Sequence, residues 1–150
     1  MKGKVFIDTN VLIDVLIERP SSKASRDIFY AVRCGKIEGV ITTQSIIDAS
    51  YILRKKGQQY LDAYYEKACQ FFNYFNEEQL TSFDMLYASR HMSGDFEDDV
   101  QFARAVDCCC DAIITNDKMF RKKHEGEDRH IKFFTPEEFV AKLTGQTSGQ

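Results

Sequence analysis

The stretch KVFIDTNVLIDVL, residues 4–16, decides the fold class because its hydrophobic period changes partway along. Residues 5–8, VFID, form a β-branched and aromatic run that is typical of a buried strand. After this run, apolar residues recur on one face at helical spacing: Val11, Leu12, Val15 and Leu16. The segment therefore predicts a buried strand that leads directly into a helix, with Asp8 at the junction.

The same alternation of strand and helix patterns continues along the chain. Further strands are predicted for GVIT (39–42), a weak segment over 79–83, DAIIT (111–115) and IKFF (131–134), with helical patterns between them. Strands separated by helices require crossover connections, which favour a parallel sheet. The predicted class is therefore α/β, as a three-layer α/β/α arrangement with a mostly parallel sheet.

Length and composition favour one domain. The chain has 150 residues, of which 43% are hydrophobic and 29% charged. We expect the domain to occupy residues 1–143 and the polar stretch TGQTSGQ, residues 144–150, to form a flexible tail. No apolar run approaches the roughly 20 residues that a membrane span needs, and Asp8 interrupts any signal-peptide core. The expected location is the cytoplasm.

The five cysteines favour reduced thiols over cross-links. Three of them are consecutive, Cys108 to Cys110, and they fit neither a paired disulfide framework nor C-x-x-C spacing. This pattern argues against a structural zinc site and a disulfide scaffold. The three histidines, His91, His124 and His130, lie away from the predicted strand ends, and no chemistry is assigned to them.

Acidic residues collect where ligands bind in open parallel sheets, beyond the carboxyl ends of the strands. Asp8 ends the first strand, Asp117 follows DAIIT, and Asp48 lies in the helix after GVIT. A further acidic group stands at a helix start in DFEDD: Asp95, Glu97, Asp98 and Asp99. Each acid could instead cap or complement a helix N-terminus. Together they predict a site for Mg²⁺ or Mn²⁺, which prefer oxygen ligands.

Hydroxyl and amide side chains accompany these acids. These side chains are expected to orient carboxylates or waters around the ion. They belong to Thr9, Asn10, Thr115 and Asn116. A metal in such a site polarises a phosphoryl oxygen and activates bound water.

Several of these motifs together resemble the PIN domain, a family of metal-dependent ribonucleases that includes the VapC-type toxins. The matching segments are VFIDTNVLIDVL, DFEDDVQFARAV, DAIITNDKMF and IKFFTPEEF, and the resemblance covers roughly residues 4–143. It implies a sheet ordered 3-2-1-4-5. It also implies catalytic roles for Asp8, Asp48, Asp98 and Asp117, of which Asp8, Asp98 and Asp117 would bind the metal.

One position departs from the family pattern, and the assignment of the third acid has alternatives. Asp48 stands where the family usually has glutamate, and its shorter side chain would reach the metal through water. The third acid is assigned to Asp98, with Asp95 and Asp99 as alternates. Helical spacing places Asp99 on the face toward the sheet.

The resemblance implies Mg²⁺- or Mn²⁺-dependent endonucleolytic hydrolysis of single-stranded or structured RNA. It also implies an antitoxin partner if the chain is a toxin, and a homodimer is expected. The net charge of −3 provides no general basic field, so a local rim is predicted at Arg121, Lys122 and Lys123.

Other functions remain open at this point. The main alternative is a catalytically impaired PIN-like scaffold that acts through a protein partner, because of the Asp48 departure. A haloacid dehalogenase-type phosphatase would need an acid at the position of Asn10, which has no proton to give. A receiver-like domain would need an acidic pair and a later lysine at a strand end, and neither is evident.

Overall fold

A five-stranded parallel sheet runs through the centre of the protein. The computed structural model describes residues 3–148, without the side chains of residues 69, 71, 72 and 146–148. The strands are β1 (Lys4–Ile7), β2 (Glu38–Thr42), β3 (Asn76–Glu78), β4 (Ala112–Ile114) and β5 (Lys132–Phe134). Their order in the sheet is β3-β2-β1-β4-β5. The predicted α/β class, the parallel sheet and the strand order are confirmed.

Helices connect successive strands and cover both faces of the sheet. Those described are α1 (Thr9–Leu16), α2 (Ser22–Arg33), α3 (Thr43–Lys56), α4 (Gln58–Tyr74), α5 (Ser82–His91), α6 (Phe96–Asp107), α7 (Lys118–His124) and α8 (Pro136–Ser148). None of the described helices is long and apolar enough to span a membrane.

The central strand β1 contributes to two separate cores because successive side chains of a strand point to opposite faces. Val5 and Ile7 pack in the larger core, which also receives side chains from α1, α2, α3, α4 and α8. Phe6 packs on the other face with Phe102 of α6 and Phe120 of α7. Burial on both faces explains why VFI is uniformly apolar rather than alternating.

Gly39 in β2 allows a core aromatic ring to approach the backbone. A Cβ atom placed on Gly39 would lie 2.6 Å from the ring of Phe75 and 3.0 Å from Val32. The ring of Phe75 also packs against Phe29, with ring centroids 5.0 Å apart. A glycine is therefore used within this strand because no side chain fits under the ring.

The prediction of a weak strand over residues 79–83 is wrong. The third strand is β3, and α5 already begins at Ser82. β3 has the polar sequence NEE and pairs only with β2, so this edge strand carries no apolar run. The start of α5 has a capping box, in which Thr81 and Asp84 bond to each other's backbone amides.

The end of the domain is helical beyond the predicted boundary. The backbone of α8 continues through Ser148, into the stretch expected to form a tail. Gly149 and Gln150 lie outside the described residues. The assignment of residues 144–150 to a tail therefore stays a prediction.

Candidate active site

One cleft opens at the carboxyl ends of β1 and β4, between the first turns of α1 and α6 and the middle of α3. Its lining is predominantly acidic: Asp8, Thr9, Asn10, Asp48, Tyr51, Ile52, Asp95, Glu97, Asp98 and Asp117. The four acids proposed as a catalytic set from the sequence all line this cleft. Parallel pairing of β1 with β4 brings Asp8 and Asp117 together although more than 100 residues separate them.

Thr115 links the two strand ends. Its hydroxyl donates to Asp8 Oδ2 at 2.5 Å, and the oxygen of that hydroxyl, Thr115 Oγ1, accepts from the amide of Asp117 at 2.9 Å. The pairing of Ile7 with Ile114 places Thr115 directly beside Asp8. Thr115 is buried, so these hydrogen bonds hold the Asp8 carboxylate against the end of β4.

The carboxylates of Asp8 and Asp117 line the cleft and also cap the helices that follow them. Asp8 Oδ1 accepts from the Thr9 amide at 2.7 Å at the start of α1. Asp117 Oδ1 accepts from the amides of Met119 and Phe120 at the start of α7. Each cap holds one carboxylate oxygen in a fixed orientation, so the two roles considered for these acids are compatible.

Asp98 lies on the first turn of α6 and faces the other acids. Asp95 caps this helix by accepting from the Asp98 amide at 3.1 Å. Burial, together with the charges of Asp95, Asp117, Asp8 and Glu97, raises the pKa of Asp98 to about 7. A carboxylic acid with this pKa is ready to exchange its proton for a metal ion near neutral pH.

Asp8 is similarly perturbed. Its pKa is raised to about 6 as the net result of burial and the charge of Asp117, which raise it, and of the hydrogen bonds from Thr115 and Thr9, which lower it. No lysine, arginine or histidine is among the described side chains that line the cleft. The acids therefore repel one another without a basic partner, and a divalent cation would relieve this repulsion.

Asp48 reaches the cleft from α3 and contacts Glu97, an acid of the DFEDD group for which the sequence predicted no individual role. Burial raises the pKa of Glu97, and the charge of Asp48 and a hydrogen bond to it add to the effect. Gln44 holds the other side of this pair by donating to Asp48 Oδ1 at 2.9 Å. Glu97 was visible in the acidic DFEDD segment, but its orientation depends on how α6 is rotated.

Asp99 points away from the cleft. It is 1% exposed and accepts hydrogen bonds from the hydroxyl and amide of Ser93. Its position on the buried side of α6 agrees with the helical spacing in the sequence. Of the alternates for the third acid, Asp95 lines the cleft and Asp99 does not.

The remaining polar residues near the strand ends have other contacts. The hydroxyl of Thr9 donates to Ser45 at 2.9 Å, which links α1 to α3. Asn116 donates to Asp14 Oδ2 at 2.8 Å rather than to an acid of the cleft. Asp14 is 1% exposed and also pairs with Arg19 at 2.8 Å, and sequence reasoning missed this buried network.

The three basic residues predicted to form a rim differ in how free their charges are to contact RNA. Arg121 is ion-paired with Glu125 at 2.9 Å and with Glu138 at 2.7 Å. Lys122 is exposed. Lys123 extends toward α6, where its Nζ would lie 3.9 Å from a Cβ placed on Gly94, next to Asp95.

An aromatic side chain forms one wall of the cleft. Tyr51 lines it with its side chain 57% exposed, and the guanidinium of Arg54 lies 5.0 Å from its ring centroid. This pair offers a flat ring and a positive charge beside the acids. Such a combination suits a nucleic-acid base next to a phosphate.

Comparison with known proteins shows the family to which these features belong. The family model described as the PIN domain matches residues 4–119. No curated protein sequence matches the chain significantly.

Solved structures with the same fold include several toxins. The VapC20 toxin of Mycobacterium tuberculosis, described as cleaving the sarcin-ricin loop, is 14% identical with a TM-score of 0.64 and covers 79% of this chain and 93% of its own. A toxin-antitoxin complex from Klebsiella pneumoniae is 16% identical, with a TM-score of 0.59 and coverages of 88% and 97%. VapBC2 from Rickettsia felis, bound to a promoter DNA fragment, is 10% identical, with a TM-score of 0.62 and coverages of 88% and 98%.

Proposed function

Because this chain belongs to the PIN domain family, whose model matches residues 4–119, we propose that it is a metal-dependent endoribonuclease. The proposed reaction is hydrolysis of phosphodiester bonds in single-stranded or structured RNA. The observation that carries the proposal is the cleft at the ends of β1 and β4, where Asp8, Asp98 and Asp117 converge without a basic partner among its described lining residues.

The proposed metal ligands are the carboxylates of Asp8, Asp98 and Asp117. The all-oxygen donor set suits Mg²⁺ or Mn²⁺, and the raised pKa values of Asp8 and Asp98 fit a site that exchanges protons for a cation. When bound, such an ion polarises a phosphoryl oxygen and lowers the pKa of water. Asp48, which is shorter than the glutamate usual at its position, acts through an intervening water.

The protein's own residues supply orientation and proton transfer in this proposal. Thr115 holds Asp8 through its hydroxyl, so the carboxylate cannot rotate away from the cleft. The Asp48–Glu97 pair shares a hydrogen bond at the rim and can take up the proton that the attacking water loses. Attack in line with the leaving oxygen leaves a 5′-phosphate and a 3′-hydroxyl.

Substrate binding is assigned to the two sides of the cleft. On one side, Tyr51 and Arg54 offer a stacking surface and a charge to a base and its phosphate. On the other side, Lys123 is the best placed of the three predicted rim residues, since Arg121 is occupied by two glutamates. Lys122 adds charge from an exposed position.

The direct test is RNA cleavage by the purified protein with Mg²⁺ or Mn²⁺, followed by addition of EDTA. Asp8→Asn should lose cleavage while keeping its circular dichroism spectrum, because the variant removes one metal ligand. Asp62→Asn, at an exposed position on α4, is the matched control and should cleave normally. Cleavage that survives EDTA or Asp8→Asn would refute the assigned site.

The alternative is a scaffold of the same fold with impaired catalysis, for which Asp48 is the motivating departure. Asp48→Glu separates the two readings because it restores the usual side-chain length. A wild type without cleavage and an active Asp48→Glu variant would support the scaffold. Equal cleavage by both would show that water bridges the shorter side chain.

We further propose that this chain acts in the cytoplasm as a toxin that forms a homodimer and is inhibited by a protein antitoxin. Support comes from an aromatic groove between α2 and α4, where Tyr30 and Tyr74 remain 64% and 43% exposed beside Phe29 and Phe75. Light scattering tests the dimer, and a strict monomer would count against it. Co-expression with the product of the adjacent reading frame tests the antitoxin.

A further inference from the structure

A second group of metal-binding side chains lies apart from the acidic cleft, where α5 and α7 end. His91 is the last residue of α5, His124 the last of α7, and Glu127 lies in the turn after α7. One ligand atom from each residue lies within 4.8 Å of the other two. We propose that these three side chains bind a zinc ion, a site independent of the proposed nuclease activity.

The strongest observation is the state of His124. Its side chain is fully buried, packed against Phe102 with ring centroids 4.6 Å apart. Neither ring nitrogen makes a hydrogen bond of normal geometry to any part of the chain that the structure describes. Each nitrogen lies beside a carboxylate, Asp99 at Nε2 and Glu127 at Nδ1, without such a bond. A buried imidazole in this state is poorly stabilised, so a further partner is expected at one nitrogen.

Asp99 indicates which nitrogen faces the metal. His124 Nε2 lies 2.9 Å from Asp99 Oδ1, and Ser93 fixes that carboxylate through its hydroxyl and amide. A carboxylate beside one nitrogen favours the tautomer with its proton there and directs the lone pair of the other nitrogen to a metal. Nδ1 of His124 is therefore the ligand atom.

Glu127 brings the three ligands together. Its Oε1 lies 3.2 Å from His124 Nδ1 and 2.5 Å from His91 Nε2, and its Oε2 accepts from the hydroxyl of Tyr87 at 3.2 Å. A lone pair on Nδ1 would be repelled by the carboxylate oxygen it faces. A cation between the ligand atoms turns this repulsion into attraction for all three.

The ligand set favours zinc over the ion proposed for the cleft. Two imidazoles and one carboxylate, with a fourth position left for water, form a set that zinc takes readily, whereas Mg²⁺ prefers oxygen ligands alone. Bonds of about 2.1 Å in a tetrahedron separate ligand atoms by about 3.4 Å. The His124–Glu127 distance already matches this spacing, and the His91–Glu127 contact must open by about 1 Å.

The three proposed zinc ligands lie where an ion can reach them from solvent. The side chains of His91 and Glu127 are 29% and 23% exposed, so an ion can enter from solvent without unfolding the core. A bound ion would join the end of α5 to the turn that precedes β5. It would also hold Asp99, which does not line the cleft, in its buried position on α6.

The test is titration of the metal-free full-length protein with Zn²⁺, and with Co²⁺ as a spectroscopic probe, in saturating Mg²⁺ to occupy the acidic cleft. We expect one equivalent of Zn²⁺ to bind and Co²⁺ to give the intense visible bands of a four-coordinate site. His91→Gln and Glu127→Gln should each weaken Zn²⁺ binding more than tenfold. His130→Gln, at an exposed position nearby, is the matched control and should bind as the wild type does.

Two results would overturn the site. One is the absence of stoichiometric Zn²⁺ binding by the folded wild type, which would leave direct contacts between the histidines and the carboxylates as the account of the cluster. The other is unchanged binding in His91→Gln. A background of Asp117→Asn, which removes one proposed ligand of the cleft, should retain the Co²⁺ bands, and their loss would place the ion in the cleft instead.

Discussion

Replacing Asp98 by asparagine is expected to stabilise the metal-free protein at pH 8 and to abolish its stabilisation by Mg²⁺. The pKa of Asp98 is raised from 3.8 to about 7, first by burial and then by neighbouring carboxylates. For a fully desolvated carboxylate, this rise corresponds to about 4 kcal/mol of unfavourable interaction in the ionised form. Asp98 is half-buried, so solvent screening reduces the figure to about 1–2 kcal/mol.

Part of this gain in stability is offset because Asp98→Asn also removes a favourable charge from the N-terminus of α6. Asp98 stands in the first turn of α6, where a negative charge contributes about 0.3–1 kcal/mol. The net expectation is a gain of about 1 kcal/mol in the free energy of unfolding, or roughly 2–4 °C in Tm.

The sign of the pH dependence follows from the raised pKa. The folded protein holds the Asp98 proton more tightly than the unfolded chain does, so this stability is present at low pH and is lost as pH rises from about 4 through 7. The benefit of Asp98→Asn should therefore be full at pH 8 and smaller at pH 5.

The assay is urea unfolding at both pH values in EDTA, followed by titration with Mg²⁺. Mg²⁺ at a hundred times its Kd should add about 2.7 kcal/mol to the wild type and almost nothing to the variant. Asp62→Asn, on the exposed face of α4, should change stability by less than about 0.5 kcal/mol. A variant that is less stable than the wild type at pH 8 in EDTA would refute the reasoning.

Three further expectations concern the cation, the core and the substrate. Mg²⁺ should bind more weakly at pH 5.5 than at pH 8, because protons compete with the ion at Asp98, whose pKa is about 7. Calorimetry in buffers of different ionisation enthalpy measures the protons that are released when Mg²⁺ binds. Gly39→Ala should cost about 1–3 kcal/mol in urea unfolding because its methyl group would collide with the ring of Phe75, and Phe75→Leu in the same chain should recover part of the loss. Lys123→Ala should reduce the slope of log Kd for single-stranded RNA against log salt by about 0.7. Arg121→Ala should leave this slope nearly unchanged, because Arg121 is already paired with two glutamates in the wild type.

Much of the fold was predictable because its decisive signals are local. The run VFID, the helical spacing after it and the apolar strands at β4 and β5 are properties of short segments, and each was read from the sequence. β3 was misplaced because an edge strand that pairs on one side needs no apolar run. Helix α5 was missed although Thr81 and Asp84 carry a local capping signal.

The candidate site was predictable to the extent that strand ends could be located. Asp8 and Asp117 follow apolar strands, and parallel pairing brings such ends to one edge of the sheet. The inclusion of Glu97 and the diversion of Asn116 to Asp14 were not predictable in this way. These contacts depend on the rotation of α6 and on the packing of α1 against α2.

By itself, the sequence determined the α/β class, most of the strands and helices, their buried faces and the acids that stand at the strand ends, because these follow from hydrophobic period and chain position. Only the tertiary structure decided which distant side chains meet. Thr115 reaches Asp8 because two strands pair in one register. His91, His124 and Glu127 meet because two helices end side by side, and no pattern along the chain encodes a distance between them.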